Sequence, residues 1–403
     1  MSTFPDAAGF SRARLDRLDT LLQGYVDRGD LAGISAVVGR RGHTGYHARF
    51  GWADREAARP VRDDTLFTIA SLTKPVTSVA IMTLYEEGHF HLNTPIAQFI
   101  PAFKDSRVCI GATEGGLILE PLERDITFRH LFTHTAGLSY GRNADDPVDR
   151  AYQAGQRRAE AEGQVTTNAS LAQALAGLPL AFQPGTKWRY SLSIDVLGAL
   201  VEVISGQPLD VFMQERLFEP LGMRDTAFFV PPQKRERLAV VYGHPEPGGE
   251  LRRLDDIRPP AERPSWISGG GGLTSTLGDY ARFAAMLANG GELDGVRILG
   301  PKTVALYSLN HTPAAALPYG FRDNDLYHAG YGYSLGTRVL MDVSQSGLYG
   351  SVGEFGWDGA FSTYCWVDPV ESLYGVLMTQ HSPNAYYPIH QQFKQLTYQA
   401  LLG

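Results

Sequence analysis

Ser71-Leu72-Thr73-Lys74 sets a hydroxyl and an amine three residues apart at the head of an apolar stretch. A serine hydroxyl is a weak nucleophile until a neighbour accepts its proton. Residues three apart on a helix share a face, with Cβ atoms about 5–6 Å apart, so Lys74 reaches the Ser71 hydroxyl if the stretch is helical. The free N–H groups and positive end of a helix favour an oxyanion and disfavour a further cation. Together with burial, that setting is expected to push Lys74 below its ordinary pKa, toward a usable base. Alone, S-x-x-K occurs often by chance, and a solvent-facing lysine is its ordinary meaning.

Three further segments add chemistry. Tyr190, in Trp188-Arg189-Tyr190-Ser191-Leu192, stands directly before a predicted helix, and its phenol becomes a general base if a cation such as Lys74 stabilises the phenolate. Gly356-Trp357-Asp358-Gly359-Ala360 leads into a predicted strand, where an edge free of bulky side chains brings a backbone N–H to an oxyanion. His134-Thr135-Ala136-Gly137-Leu138 follows an apolar helix and reads as a helix stop with a loop bordering the pocket. Each has a plainer meaning as well, a packed aromatic or a turn.

The ordered set Ser71-x-x-Lys74, His134-Thr-Ala-Gly-Leu, Tyr190-Ser-Leu, Phe218-Glu-Pro-Leu-Gly-Met223 and Trp357-Asp-Gly resembles the serine β-lactamase-like superfamily. It looks most like the family VIII carboxylesterases, relatives of class C β-lactamases. The resemblance implies Ser71 as nucleophile, Lys74 and Tyr190 as its activating pair, and the backbone N–H groups of Ser71 and Ala360 as the oxyanion hole. It also implies a substrate pocket bordered by Tyr140, Leu192, Trp357, Asp358 and Gly359, with no cofactor and no metal. Penicillin-recognising members usually carry Tyr-x-Asn or Ser-x-Asn as the second motif and Lys-Thr-Gly as the third. Here Leu192 replaces the Asn and Trp357 stands where the Lys would be. An apolar Leu and a Trp suit an uncharged ester better than a β-lactam carboxylate or a terminal D-Ala. The expected activity is therefore a serine carboxylesterase on short- to medium-chain esters, with acyl transfer to an alcohol as a related outcome. The alternatives are a β-lactamase or D-amino-acid peptidase, and a non-catalytic ligand sensor on the same fold.

Other signals carry less. Gly137-Leu138-Ser139-Tyr140-Gly141 matches the G-x-S-x-G elbow of α/β-hydrolases, which needs a strand before it and a helix after it. Here a predicted helix precedes it and a loop follows, so Ser139 is not expected to be the nucleophile. His130 and His134 have a spacing metals use, but the Glu of H-E-x-x-H and a third ligand are missing. The glycine run Gly269–Gly272 lacks the Lys-Ser/Thr of a phosphate loop and reads as close backbone packing. Tyr140, Trp266, Tyr327 and Tyr331 are aromatic candidates for the pocket wall.

The elements that must hold these residues follow from periodicity. A helix is predicted through Leu15, Leu18, Leu22 and Val26, and a hairpin from Gly33–Gly39 and Thr44–Phe50. A buried helix spans residues 72–87. Helices are also predicted over Leu192–Ile204, Leu209–Phe218 and, opening at Thr276, through Leu287. Strands are predicted over Tyr331–Leu340, Phe361–Val367 and Leu373–Gln380, and a helix closes the chain through Ile389, Phe393, Leu396 and Leu401. Strands at both ends with helices between give an α/β (α+β) architecture, and the resemblance implies that it is β-lactamase/transpeptidase-like. Its antiparallel sheet is built from 1–94 and 270–403, with a mainly helical insertion over 95–269 and the active site between them.

The composition fits this picture. The 403 residues are 43% hydrophobic and 20% charged with net charge −7, enough for a large core without disulfides or metals. The cysteines are Cys109 and Cys365 alone, which excludes a disulfide scaffold and a Cys-rich zinc module. No basic run points to nucleic acid, and no stretch of about 18 apolar residues points to a membrane span. The expected partner is a small-molecule ester, and the expected compartment the cytoplasm.

Overall fold

A computed structural model describes residues 2–244, 246, 248–320 and 329–402; Tyr327 lies outside them. Two distant parts of the chain supply one sheet. Its strands are β1 Gly33–Arg40, β2 His43–Asp54, β3 Arg59–Pro60, β4 Tyr331–Tyr333, β5 Arg338–Leu340, β6 Phe355–Asp358, β7 Tyr364–Asp368 and β8 Leu373–Thr379. Their order is β4-β5-β6-β7-β8-β1-β2-β3, every pairing antiparallel. The seam between the two ends is β1 against β8, from Ile34 opposite Thr379 to Arg40 opposite Leu373. Each residue of β1 is buried, as expected for a central strand covered on both faces.

Period-two alternation divides those faces. Ile34, Ala36, Val38, Leu373 and Leu377 point into one core layer with Leu15, Leu18 and Leu22 of α1 (Arg12–Asp27) and Phe393 of the closing helix (Ile389–Tyr398). Val37, Val376 and Met378 point into a larger layer with α2 (Thr73–Glu86) and the helix Leu277–Ala288. That second helix opens as its sequence suggests, with the Thr276 hydroxyl accepting from the Asp279 N–H at 3.1 Å. Helix α2 is buried almost throughout and packs on α3, Ser193–Ser205.

The structure departs from expectation in four places. Tyr331–Leu340 is a hairpin rather than one strand. Gly336 turns at φ +77°, its N–H reaches the Phe132 carbonyl at 3.1 Å, and a Cβ there would strike Ser78 of α2. The last-domain strand begins at Tyr364 rather than Phe361, because Ser362 sits at φ +61° in a turn. Leu209–Phe218 is helical as expected but not all α: it is α-helical to Met213, π-helical over Gln214–Phe218, and continues as α over Glu219–Leu221. The stretch 95–269 also holds a two-stranded hairpin, Arg107–Thr113 with Gly116–Pro121.

The closing helix is fastened by a buried ionic group. Lys394 pairs with Glu354 and donates to the Tyr331 hydroxyl at 3.1 Å. Tyr398 lies 3.0 Å from Glu354 and 2.6 Å from Asp368. Burial pushes Lys394 down and Glu354 up, and each partly restores the other's charge. Tyr331 is thus spent on this network rather than on a pocket wall.

Removing one partner of such a pair leaves a buried charge. Lys394→Met is expected to cost about 3–5 kcal/mol in urea unfolding at neutral pH. Glu354 left alone has a raised folded-state pKa, so the deficit is fully present above that pKa. It shrinks as pH falls toward the ordinary glutamate value and Glu354 takes up a proton. A deficit independent of pH would disprove the pairing.

Candidate active site

Ser71 lies on a short 3₁₀ turn, Ala70–Leu72, that runs directly into α2. The turn is entered through Ala70 at φ +44°, a left-handed conformation that a non-glycine residue holds only under constraint. The constraint is visible on both sides. The Ile69 N–H donates to the Leu273 carbonyl at 3.1 Å, and its carbonyl accepts from the Thr363 hydroxyl at 3.2 Å. A Cβ at Gly359 would collide with that same Ile69 carbonyl. This close approach brings the Gly359–Ala360 peptide, in the tight turn after β6, alongside the Ile69–Ser71 segment.

Lys74, one turn further on, is fully buried. Its Nζ donates to Ser71 Oγ at 3.2 Å and to the Gly270 carbonyl at 2.5 Å. It lies 4.6 Å from the ring centre of Tyr190 and 5.6 Å from that of Tyr140. The lowered pKa expected for this lysine is overturned. Burial, the largest single influence, does lower it, but Tyr140, Tyr190 and Asp195 together outweigh burial and hold it above the ordinary lysine value. The group beside Ser71 is an ammonium.

Tyr190 is held in a loop that lies across the His134–Ser139 segment. The Arg189 N–H donates to the His134 carbonyl at 2.9 Å, and the Arg189 guanidinium binds Asp146 at 2.8 Å and Asp149 at 3.1 Å. The Leu192 N–H points to the Ser139 carbonyl at 3.5 Å. Trp357 Nε1 donates to the Tyr190 hydroxyl at 3.2 Å. The His134-Thr-Ala-Gly-Leu segment therefore does more than end a helix. Its backbone seats the Tyr190 loop, and its imidazole, at φ +55°, lies 4.8 Å from the Tyr190 ring with Nδ1 3.2 Å from Ser191 Oγ. Burial, with Lys74 nearby, depresses the His134 pKa well below the usual imidazole value, so it stays neutral.

Sequence reasoning missed the rest of this aromatic shell. Tyr333 meets Trp357 at 5.1 Å and His134 at 5.4 Å between ring centres, and Trp188 stacks on Tyr190 at 6.1 Å. Aromatic content gave a signal, but nothing local separates Tyr333 from Tyr331. It also missed Asp195, in the first turn of α3. This buried carboxylate accepts from Ser268 Oγ at 2.7 Å and from the Gly270 N–H at 3.0 Å. Thr77 Oγ1 donates to the Gly269 carbonyl at 2.6 Å. A Cβ at Gly270 would collide with the Asp195 carboxylate, so the glycine run does serve close packing, between α2 and α3.

The remaining candidates fall as follows. Asp358 turns its carboxylate to Asn384 at 2.7 Å and Arg338 at 3.3 Å. Leu192 caps α3 and is half-buried at the core's edge. Trp266 is half-buried two residues before Ser268. His130 Nδ1 accepts from the Thr127 N–H at 3.2 Å in a helix cap, and among the described residues no metal-holding group of three His, Cys, Asp or Glu occurs. Ser139 is buried and donates its hydroxyl to Asp149. No strand leads into its G-x-S-x-G, so the nucleophile-elbow context is missing.

Comparison with known proteins places this geometry. Residues 18–399 match the family described as Beta-lactamase. Protein Rv1367c of Mycobacterium tuberculosis is 36% identical over 374 residues, covering 92% of this chain and 91% of its own. Esterase EstB of Burkholderia gladioli is 33% identical over 385 residues, covering 90% and 89%. Among solved structures, the hydrolase EstCE1 superposes with a TM-score of 0.79 over 97% of this chain and 99% of its own, at 24% identity.

Because Ser139 serves Asp149, Ser139→Ala is expected to retain most of kcat while lowering unfolding free energy by about 1 kcal/mol. Loss of turnover in a folded Ser139→Ala protein would move the nucleophile.

Proposed function

The chain belongs to the Beta-lactamase family, and from that premise we propose that it is a serine carboxylesterase acting through an acyl-enzyme on short- to medium-chain, uncharged esters. The observation that carries this reading is the contact closing the cluster. The Tyr190 ring lies 4.6 Å from Lys74 Nζ, and its hydroxyl takes a hydrogen bond from the neutral indole of Trp357. The site so built has a nucleophile, a phenol and one ammonium committed to both, and an aromatic wall suited to an apolar acyl group. The name of EstB supports the same class of substrate.

In this reading Tyr190 reacts as a phenolate stabilised by Lys74, and Ser71 Oγ attacks the ester carbonyl as its proton passes to that phenolate oxygen. The carbonyl oxygen becomes an oxyanion against the N–H groups of Ser71 and Ala360, each such donor typically contributing about 3 kcal/mol. The bond to the leaving alcohol then breaks, and Tyr190 returns the proton to that oxygen. Water repeats the sequence on the acyl-enzyme and releases the acid; an alcohol in its place gives acyl transfer. Lys74 remains protonated throughout, consistent with the raised pKa its neighbours impose.

The test is turnover of p-nitrophenyl acetate, butyrate and octanoate, with a chromogenic cephalosporin alongside. Ester hydrolysis that vanishes in Ser71→Ala, with little cephalosporin hydrolysis, is expected. Efficient cephalosporin turnover would overturn the substrate assignment. Tyr190→Phe and Lys74→Ala are each expected to lower kcat by about 10²–10⁴-fold and the double variant by little more, since the two act as a unit. Tyr140→Phe keeps the ring against Lys74 and is expected to lose far less; the reverse order would make Tyr140 the base.

A further inference from the structure

The glycine strap and α3 meet at one carboxylate, and the residue it holds, Gly270, also receives the catalytic ammonium. Asp195 Oδ1 receives both the Ser268 hydroxyl and the Gly270 N–H. The carbonyl of the same Gly270 receives Lys74. A single residue is thus oriented at both of its peptide groups, one by Asp195 and one by Lys74. No side chain fits at this position, because a Cβ would enter the carboxylate. Asp195 sits one helical turn beyond Tyr190, on the helix that the Tyr190 loop enters.

We propose that Asp195 is a positioning residue for the proton relay: it fixes the Gly270 carbonyl where Lys74 needs an acceptor, and it supplies the buried negative charge that balances the lysine. The proposal rests on the reading of Ser71, Lys74 and Tyr190 as the reacting cluster. Its physical basis is the cost of burial. An ammonium with no access to water is stable only with acceptors and counter-charge at hand. Ser71 and Gly270 offer neutral acceptors, and Tyr140 and Tyr190 turn their rings toward it. His134 faces Lys74 as a neutral imidazole. Asp195 is the carboxylate that acts on Lys74; burial raises its own pKa, and Lys74, the Ser268 hydroxyl and the Gly270 N–H favour its ionised form against that.

Asp195→Asn separates the two parts of this role. The amide oxygen still accepts from Ser268 and Gly270, so the strap stays in place, but the charge is gone. A nearby negative charge raises the pKa of Lys74 and of Tyr140 alike. Its loss removes part of what holds the Lys74 proton, so the alkaline limb of the kcat–pH profile is expected to move to lower pH. At neutral pH kcat is expected to fall by about tenfold or more with KM little changed, since proton transfer assisted by a positioned group is typically worth 10²–10⁴-fold. A merely structural role would change the amplitude and leave the limbs where they were.

The experiment uses wild type, Ser71→Ala and Asp195→Asn, with thermal unfolding to confirm the fold. One readout is p-nitrophenyl butyrate turnover against pH. The other is the pH-dependent rate of labelling by a fluorophosphonate, in which the Ser71 Oγ–P bond forms and fluoride and a proton leave. Labelling requires an activated serine but no correct guess of substrate. If wild type is labelled at Ser71 but turns over no ester, the substrate reading fails while Asp195 is still judged by labelling. An acid shift of the alkaline limb in Asp195→Asn supports the proposal; wild-type rates, or slower rates on an unmoved profile, overturn it. Should Asp195→Asn not fold, Ser268→Ala removes one of the two donors. Severalfold slower labelling then supports the clasp, and a wild-type rate overturns it.

Discussion

Lys74 is an ammonium sealed away from water, and the architecture around it is what keeps it there. An unpaired buried ammonium would lose its proton or unfold the site. The chain supplies a serine hydroxyl, a peptide carbonyl, two phenols and, a little further off, a carboxylate. These come from α2, the loop after His134, the loop before α3, α3 itself and the glycine strap. One charge therefore couples four stretches that are distant in sequence, and the fold can be read as the means of bringing them to one point.

The sheet sets the other boundary of that point. Because its first and last strands are neighbours at the β1–β8 seam, β6 and the turn after it arrive over the N-terminus of α2. Gly359 touches the Ile69 carbonyl, and Trp357 reaches Tyr190. The nucleophile is thus clamped by a strand from the far end of the chain. The left-handed Ala70 shows that the clamp is firm: that conformation persists only where surroundings over-determine it.

Local chemistry was legible wherever it depended on close spacing. The Ser71–Lys74 separation, the Tyr190 loop before a helix, the N-terminal hairpin and the Thr276 cap all follow from neighbours in the chain. What was illegible depends on partners far away. Whether Lys74 sits above or below its ordinary pKa turns on Asp195, Tyr140 and Tyr190, none within sixty residues of it. Tyr331 and Tyr333 are equivalent by pattern, yet one is committed to the Lys394–Glu354 pair and the other to Trp357. The single strand expected over Tyr331–Leu340 breaks because Gly336 is needed against α2. In each case tertiary contact overrode a correct local preference.

The position of Trp357 bears on why the same scaffold suits a different substrate. A lysine there would bring a second ammonium to the Tyr190 hydroxyl, and with it a binding site for a substrate carboxylate. The indole keeps the hydrogen bond and omits the charge. Lys74 is then left as the ammonium that stabilises the phenolate, with its affinity for negative charge spent on the relay. An anionic substrate would compete with the phenolate for that cation, whereas a neutral ester presents negative charge only as the oxyanion forms, at the backbone N–H groups. Selection for an uncharged ester and activation of Ser71 are two consequences of one electrostatic arrangement, since both require that the relay's cation is not drawn to an anion on the substrate.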